Sequence, residues 1–117
     1  MDSERDTPYS FGCPLEVVID VIGGKWKVPI LYQLQSGTKR FNELKRLMPR
    51  VTQRMLTKQL RELEHDQIIR RKVYAEIPPK VEYSITKFGL TLSPLIDVLQ
   101  AWGTEYFDKL TRIRNGG

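Results

Sequence analysis

Gln53, Arg54, Thr57, Lys58 and Arg61 are the residues of this chain whose types and spacing could do chemistry together. They recur three and four positions apart, the period of one helix stripe. An Arg guanidinium can pair bidentately with a guanine edge and a Gln amide with an adenine edge, while Lys and Thr reach phosphates or base edges. A stripe of this kind can read duplex DNA in the major groove. A solvated helix face has the same composition, so the stripe alone does not choose between the two, and the flanking segments decide.

Other chemistries lack their parts. Nucleophilic catalysis needs Cys or Ser beside a positioned base. Cys13 is the single cysteine and His65 the single histidine, and His65 lies at the far end of a helix, where a solvated surface side chain is expected. Gly23-Gly24-Lys25 shares a fragment of the phosphate-binding loop, but that pattern requires Ser or Thr after the Lys and a Gly five residues before the last Gly. Trp26 and Ile19 stand there instead. One Cys and one His cannot build a structural zinc site. The expectation is therefore a protein that is not an enzyme and carries no cofactor or metal.

The 117 residues suffice for one domain, and 40% hydrophobic with 28% charged residues is an ordinary globular composition. No apolar run reaches the roughly 20 residues of a membrane span, so no membrane partner is expected. The opening MDSERDTPYS is polar and acidic, unlike a signal peptide. A lone cysteine without such a signal points to the reducing cytoplasm. Net charge is +5, but from Lys25 to Lys80 there are 14 Lys and Arg against 5 Asp and Glu. A basic middle between acidic flanks is the footprint of a polyanion-binding face.

The stripe must be held by a helix over Thr52 to Glu64, with Leu56, Leu60 and Leu63 as its inner seam and Thr52 as its cap. Phe41 to Met48 reads as the preceding helix, with Phe41, Leu44, Leu47 and Met48 inward. Pro49-Arg50-Val51 then makes a tight joint, and two short helices joined this way form a helix-turn-helix. Upstream, Pro14 to Ile22 and Trp26 to Gln35 read as helices separated by Gly23-Gly24, and Thr38-Lys39-Arg40 as an extended piece. Downstream, Ile68 to Ala75 and Val81 to Ile85 read as strands, joined by a proline-stiffened tip over Glu76 to Lys80. A helix-turn-helix followed by a β-hairpin is the order of a winged helix. Thr86 to Leu110 reads as a long last helix, kinked or restarted at Pro94. Its seam of Leu92, Leu95, Leu99, Trp102, Tyr106 and Leu110 calls for a partner helix. The fold class is mainly α with a small β-hairpin: a winged helix-turn-helix with dimerisation helices at both ends. A flexible arm is expected over residues 1–12, the single domain over 13–110 and a frayed tail over 111–117.

Three segments carry a resemblance: CPLEVVIDVIGGKWKVPILYQL, RFNELKRLMPRVTQRMLTKQLRELEHDQIIRRKVY, and PPKVEYSIT with LIDVLQAWG. In order and spacing they resemble the HxlR family of MarR-like bacterial winged-helix regulators. The resemblance implies a homodimer built through the first and last helices, a DNA-reading helix starting at Thr52, and a wing at Pro78 to Lys80. It also implies a local regulator, often a repressor. Several family members respond to electrophiles or oxidants through a cysteine matching Cys13. Some redox-switching members carry a second cysteine for an intersubunit disulfide, and this chain has none.

The expected site follows. Gln53, Arg54, Thr57 and Lys58 face bases of a double-stranded operator, Arg61 and Lys80 meet phosphates, and Arg40 joins the DNA-contacting set. The operator is expected to be a pseudo-palindrome with half-sites about 34 Å apart. Cys13 has two readings. It is a packing residue, or it is a sensor at a helix N-terminus, where the helix dipole favours a thiolate and where Lys25 and Lys27 are close in sequence. As a sensor it would take a small electrophile or thiol. A winged helix that binds RNA or protein without operator specificity is the alternative function. It would present aromatic or apolar residues on the outer face, and Thr52 to Glu64 presents none there.

Overall fold

The computed structural model describes Ser10 and residues 12–116. Most of the arm expected over residues 1–12, and the last residue of the expected tail, lie outside the described residues. Helices α1 (Pro14–Ile22) and α2 (Lys27–Leu34) lead into a two-residue strand β1 (Lys39–Arg40). Helices α3 (Phe41–Leu47) and α4 (Gln53–His65) follow. Strands β2 (Ile69–Tyr74) and β3 (Lys80–Ile85) form the hairpin, and helices α5 (Lys87–Leu90) and α6 (Ser93–Arg114) end the chain.

Each boundary has a local cause. Pro14 occupies the first turn of α1, where its missing N–H costs nothing. Gly23 closes that helix by donating its N–H to the Ile19 carbonyl, and Gly24 turns the chain with φ +96°, a conformation open to glycine. The Thr52 hydroxyl accepts the Met55 N–H at 3.1 Å and caps α4. After α4 the chain reverses through Gln67 at φ 62°, and the Thr86 hydroxyl donates to the Gln67 carbonyl at 2.7 Å. The same hydroxyl accepts the Gly89 N–H and caps α5. Gly89 packs so tightly on the Ile68 carbonyl that a Cβ there would collide with it.

The sheet is antiparallel in the order β1-β3-β2. Ile69 lies opposite Ile85 and Tyr74 opposite Lys80, and β1 adds Lys39 opposite Tyr83 and Arg40 opposite Glu82. The core sits between the helices and the root of the hairpin. Ile30, Leu31 and Leu34 of α2, Leu44 of α3, and Leu56, Leu60 and Leu63 of α4 are buried together with Val51, Ile68, Ile69 and Ile96. The helix-turn-helix and the hairpin therefore share one core, and the polar stripe of α4 is left outside it.

Two expectations change, and a third is narrowed to one of its outcomes. Leu47, read as inward, is exposed, because α3 ends there and Met48 turns back into the core instead. Of the kink and the restart expected at Pro94, the structure has the restart: Pro94 has no N–H for the carbonyl four residues back and its ring would crowd it, so α5 stops at Leu90 and α6 starts at Ser93. Helix α6 then runs through Arg114, into the segment expected to fray.

Candidate nucleic-acid interface

Helix α4 buries its leucine seam and turns Gln53, Arg54, Lys58 and Arg61 to solvent, with Thr57 half-buried among them. Together with Glu62 these residues line one groove along the helix. The five residues picked out by spacing are thus brought together. The Thr57 hydroxyl donates to the Gln53 carbonyl at 2.9 Å, so toward a ligand it offers an acceptor and a methyl group rather than a donor.

The groove does not stop at α4. Thr57 and Arg61 also line an adjoining pocket with Phe41, Glu64, Arg71 and Tyr83. Phe41 in turn borders a third depression, formed by Arg40, Asn42, Glu43, Arg46 and the Pro78–Val81 stretch at the base of the wing. Shared residues make one continuous strip from α4 to the wing. Arg54, Lys58, Arg61, Arg71, Arg40, Arg46 and Lys80 all lie along it.

Two of the carboxylates along the strip are engaged. Glu62 receives the Lys27 ammonium at 2.7 Å, and Glu43 accepts the Arg40 backbone N–H at 2.8 Å. Glu64 lines the pocket together with Arg61 and Arg71 but forms an ion pair with neither among the described residues. The strip is basic because its cations outnumber its acids and because two of the acids are already bound.

The wing holds its own network. The Tyr74 hydroxyl donates to Glu82 at 2.8 Å, Lys80 sits 3.8 Å from the same carboxylate, and the Lys80 and Lys72 ammonium groups lie 4.3 and 4.8 Å from the Tyr74 ring centroid. Lys80 is at the strip, as expected, but it is shared with Glu82 and Tyr74 rather than extended freely.

Asn42, Arg46, Arg71 and Tyr83 escaped the sequence reading. Arg71 was legible in principle. Strand alternation with Arg71 opposite Tyr83 puts both on the face turned toward α4, but that register is a tertiary fact.

Cys13 lies apart from this strip, exposed at the N-terminal boundary of α1, and its side chain makes no capping hydrogen bond. Lys27, expected to add positive charge near Cys13, is instead buried against Glu62. Lys25 lies over the Trp26 ring at 5.0 Å, and the Glu16 carboxylate accepts the Gly12 N–H at 3.2 Å. The first turn of α1 thus carries a negative group.

The outer helices leave apolar surface open. Leu15 and Ile19 of α1 are 74% and 69% exposed. On α6, Leu95, Val98, Leu99, Trp102, Phe107, Leu110 and Ile113 are exposed, and Ile96 is its buried residue. Among the described residues no cluster of His, Cys, Asp and Glu could hold a metal. No described helix is long and apolar enough to cross a membrane.

Residues 21–111 match the family of HxlR-like helix-turn-helix proteins. The chain is 56% identical over 102 residues to the HTH-type transcriptional regulator YdeP of Bacillus subtilis, covering 87% of this chain and 80% of that one. Its fold is similar to that of the redox regulator HypR. The oxidised form gives a TM-score of 0.77 at 56% identity, covering 80% of this chain and 96% of that one. The reduced form gives 0.80 at 54%, covering 85% and 98%. The reduced transcriptional regulator YodB of B. subtilis gives 0.70 at 35% identity, covering 82% and 95%. With its mainly helical winged helix-turn-helix fold and its basic strip, the chain belongs to the HxlR family and is a DNA-binding transcriptional regulator of helix-turn-helix type.

Proposed function

We propose that the protein binds a pseudo-palindromic operator as a homodimer and represses the adjacent gene. The observation that carries this reading is the groove of α4, where Gln53, Arg54, Thr57, Lys58 and Arg61 stand together over a buried leucine seam. Gln53, Arg54, Thr57 and Lys58 are the base-contacting set. Arg61, Arg40 and Lys80 lie toward the wing and serve phosphates. The dimer is supported by the uncovered apolar residues of α1 and α6, which a second subunit would bury. A two-fold dimer sets two reading helices about 34 Å apart, in successive major grooves.

Cys13 is the responsive residue in this reading. HypR is a redox regulator, YodB is a transcriptional regulator whose reduced form is known, and the thiol of Cys13 is open to solvent. With one cysteine per chain, oxidation can join Cys13 to its copy in the partner subunit or to a small thiol, and a quinone would alkylate it. Each product adds bulk beside α1, in the proposed dimer contact, and so alters the spacing of the reading helices. The cytoplasm, with its reduced thiol pool, is the compartment this chemistry fits.

One titration series tests the function: the parent protein against its own promoter duplex, a scrambled duplex, duplex RNA and single strands, at one fixed salt. Promoter duplex binding at least a hundred-fold tighter than the other three is the expected order. Equal affinity for RNA or single strands would overturn operator reading and favour an RNA-binding winged helix.

A further inference from the structure

The pocket between α4 and the hairpin is built unlike the open groove beside it. Arg61 lines it from α4 and Arg71 from β2, with Thr57, Phe41, the Glu64 carboxylate and the buried Tyr83 around them. Neither guanidinium is ion-paired among the described residues, and the Tyr83 hydroxyl makes no hydrogen bond there to a described residue. Two guanidinium groups against the one carboxylate of Glu64 leave the cavity net positive, and a bound anion would offset that charge. The planar donor fork of Arg matches phosphate oxygens. At about 270 Å³ the cavity lies just below the range of sites that enclose an organic ligand, roughly 300–1,000 Å³, and a phosphate group fits within it.

Position identifies the source of that phosphate. The pocket shares Thr57 and Arg61 with the reading groove, and Phe41 with the depression at the base of the wing. A duplex seated on α4 and touching the wing must carry one backbone strand across the gap between them. We propose that this pocket seats one backbone phosphate of that strand, held by Arg61 and Arg71, with the Tyr83 hydroxyl as an additional donor. This inference rests on the DNA-reading role of α4 and names a contact outside it. Arg71 and Tyr83 become positioning contacts, which fix the register of the duplex without reading its sequence.

Arg71→Gln and Tyr83→Phe test it in the full chain. Arg71 is exposed and Tyr83→Phe keeps the ring, so both should fold, which circular dichroism melting verifies. Arg71→Gln should weaken promoter and scrambled duplexes by the same factor, about five- to tenfold, and reduce the slope of log K against log salt by about one. Tyr83→Phe should weaken both a few-fold and leave the slope unchanged. Promoter duplexes with single methylphosphonates, each neutralising one phosphate, locate the contact. One position should cost the parent at least as much as Arg71→Gln does, and should cost the Arg71→Gln protein less, because only the Arg61 and Tyr83 contacts remain to be lost. An unchanged affinity and slope for Arg71→Gln, in a protein that still prefers its promoter through Arg54, would overturn the pocket's role and leave the DNA-reading function standing. If no phosphonate position couples to Arg71, while inorganic phosphate at matched ionic strength displaces duplex from the parent but not from Arg71→Gln, the backbone assignment falls and the pocket belongs to a free anion.

Discussion

The Lys27 ammonium lies 2.7 Å from the Glu62 carboxylate and ties the first residue of α2 to the flank of α4. The partners are unequally covered, with side-chain exposures of 5% for Lys27 and 29% for Glu62. A lysine at a helix N-terminus also opposes the helix dipole, so Lys27 has two reasons to need its partner. Helix α2 packs on both α4 and α6. The pair therefore links the surface proposed for dimerisation to the surface proposed for DNA.

The unequal burial gives an asymmetric prediction. Glu62→Gln strands a buried ammonium and should cost about 3 kcal/mol of stability, while Lys27→Met leaves a carboxylate that water reaches and should cost about 1 kcal/mol. Urea denaturation at fixed protein concentration measures both. Equal costs, or a larger cost for Lys27→Met, would show that the pair is not held as described.

Gln67 offers a stabilising change. Its φ of 62° is the left-handed region, which costs an L residue about 1–2 kcal/mol. The greater flexibility of an unfolded glycine returns about 0.5–1 kcal/mol of that. Gln67→Gly should therefore raise Tm by about 2–4 °C with no change in DNA binding. A lowered Tm would mean that the turn between α4 and β2 is unstrained.

For the dimer, Trp102 is the most informative position. It is 57% exposed and sits beside Tyr106, with ring centroids 5.0 Å apart, on the open face of α6. Trp102→Glu should turn a dimer into a monomer in sedimentation at micromolar concentration and weaken full-site DNA binding more than half-site binding. A parent protein that sediments as a monomer at that concentration would overturn the proposed dimer.

Cys13 should react with an aromatic disulfide reagent in the native protein, one thiol per chain, because it is exposed. Diamide or a quinone should then release the parent from its promoter and leave Cys13→Ser bound. Promoter binding indifferent to both reagents would return Cys13 to a packing or inert role.

How legible this was in the sequence varies with how local each feature is. Helix α4 was legible because its leucine spacing, its Thr52 cap and its polar stripe all lie within 14 residues. The hairpin was legible from β-branched and aromatic runs around Pro78-Pro79. The break at Thr91–Leu92 was foreshadowed by Pro94, but its extent was not, because Thr86 and Gly89 hold α5 through contacts with the Gln67–Ile68 turn. Arg71, Arg46 and the Lys27–Glu62 pair were not legible. Each depends on which strand face or helix flank meets another element, and no spacing along one segment carries that. Lys27 shows the point most clearly: a lysine in the sequence reads as surface charge, and only packing makes it part of the interior.

In the proposed function the α4 stripe reads sequence and does not merely attract polyanions. Its most direct test is the ratio of promoter to scrambled-duplex affinity, at one salt concentration, for the parent and for Arg54→Ala. A base-reading Arg54 predicts a loss of about 1–3 kcal/mol on the promoter, only the small loss of one charge on the scrambled duplex, and a relaxed preference at one base pair in each half-site. Equal loss on both duplexes would contradict base reading by Arg54 and reduce it to one more cation on a basic strip.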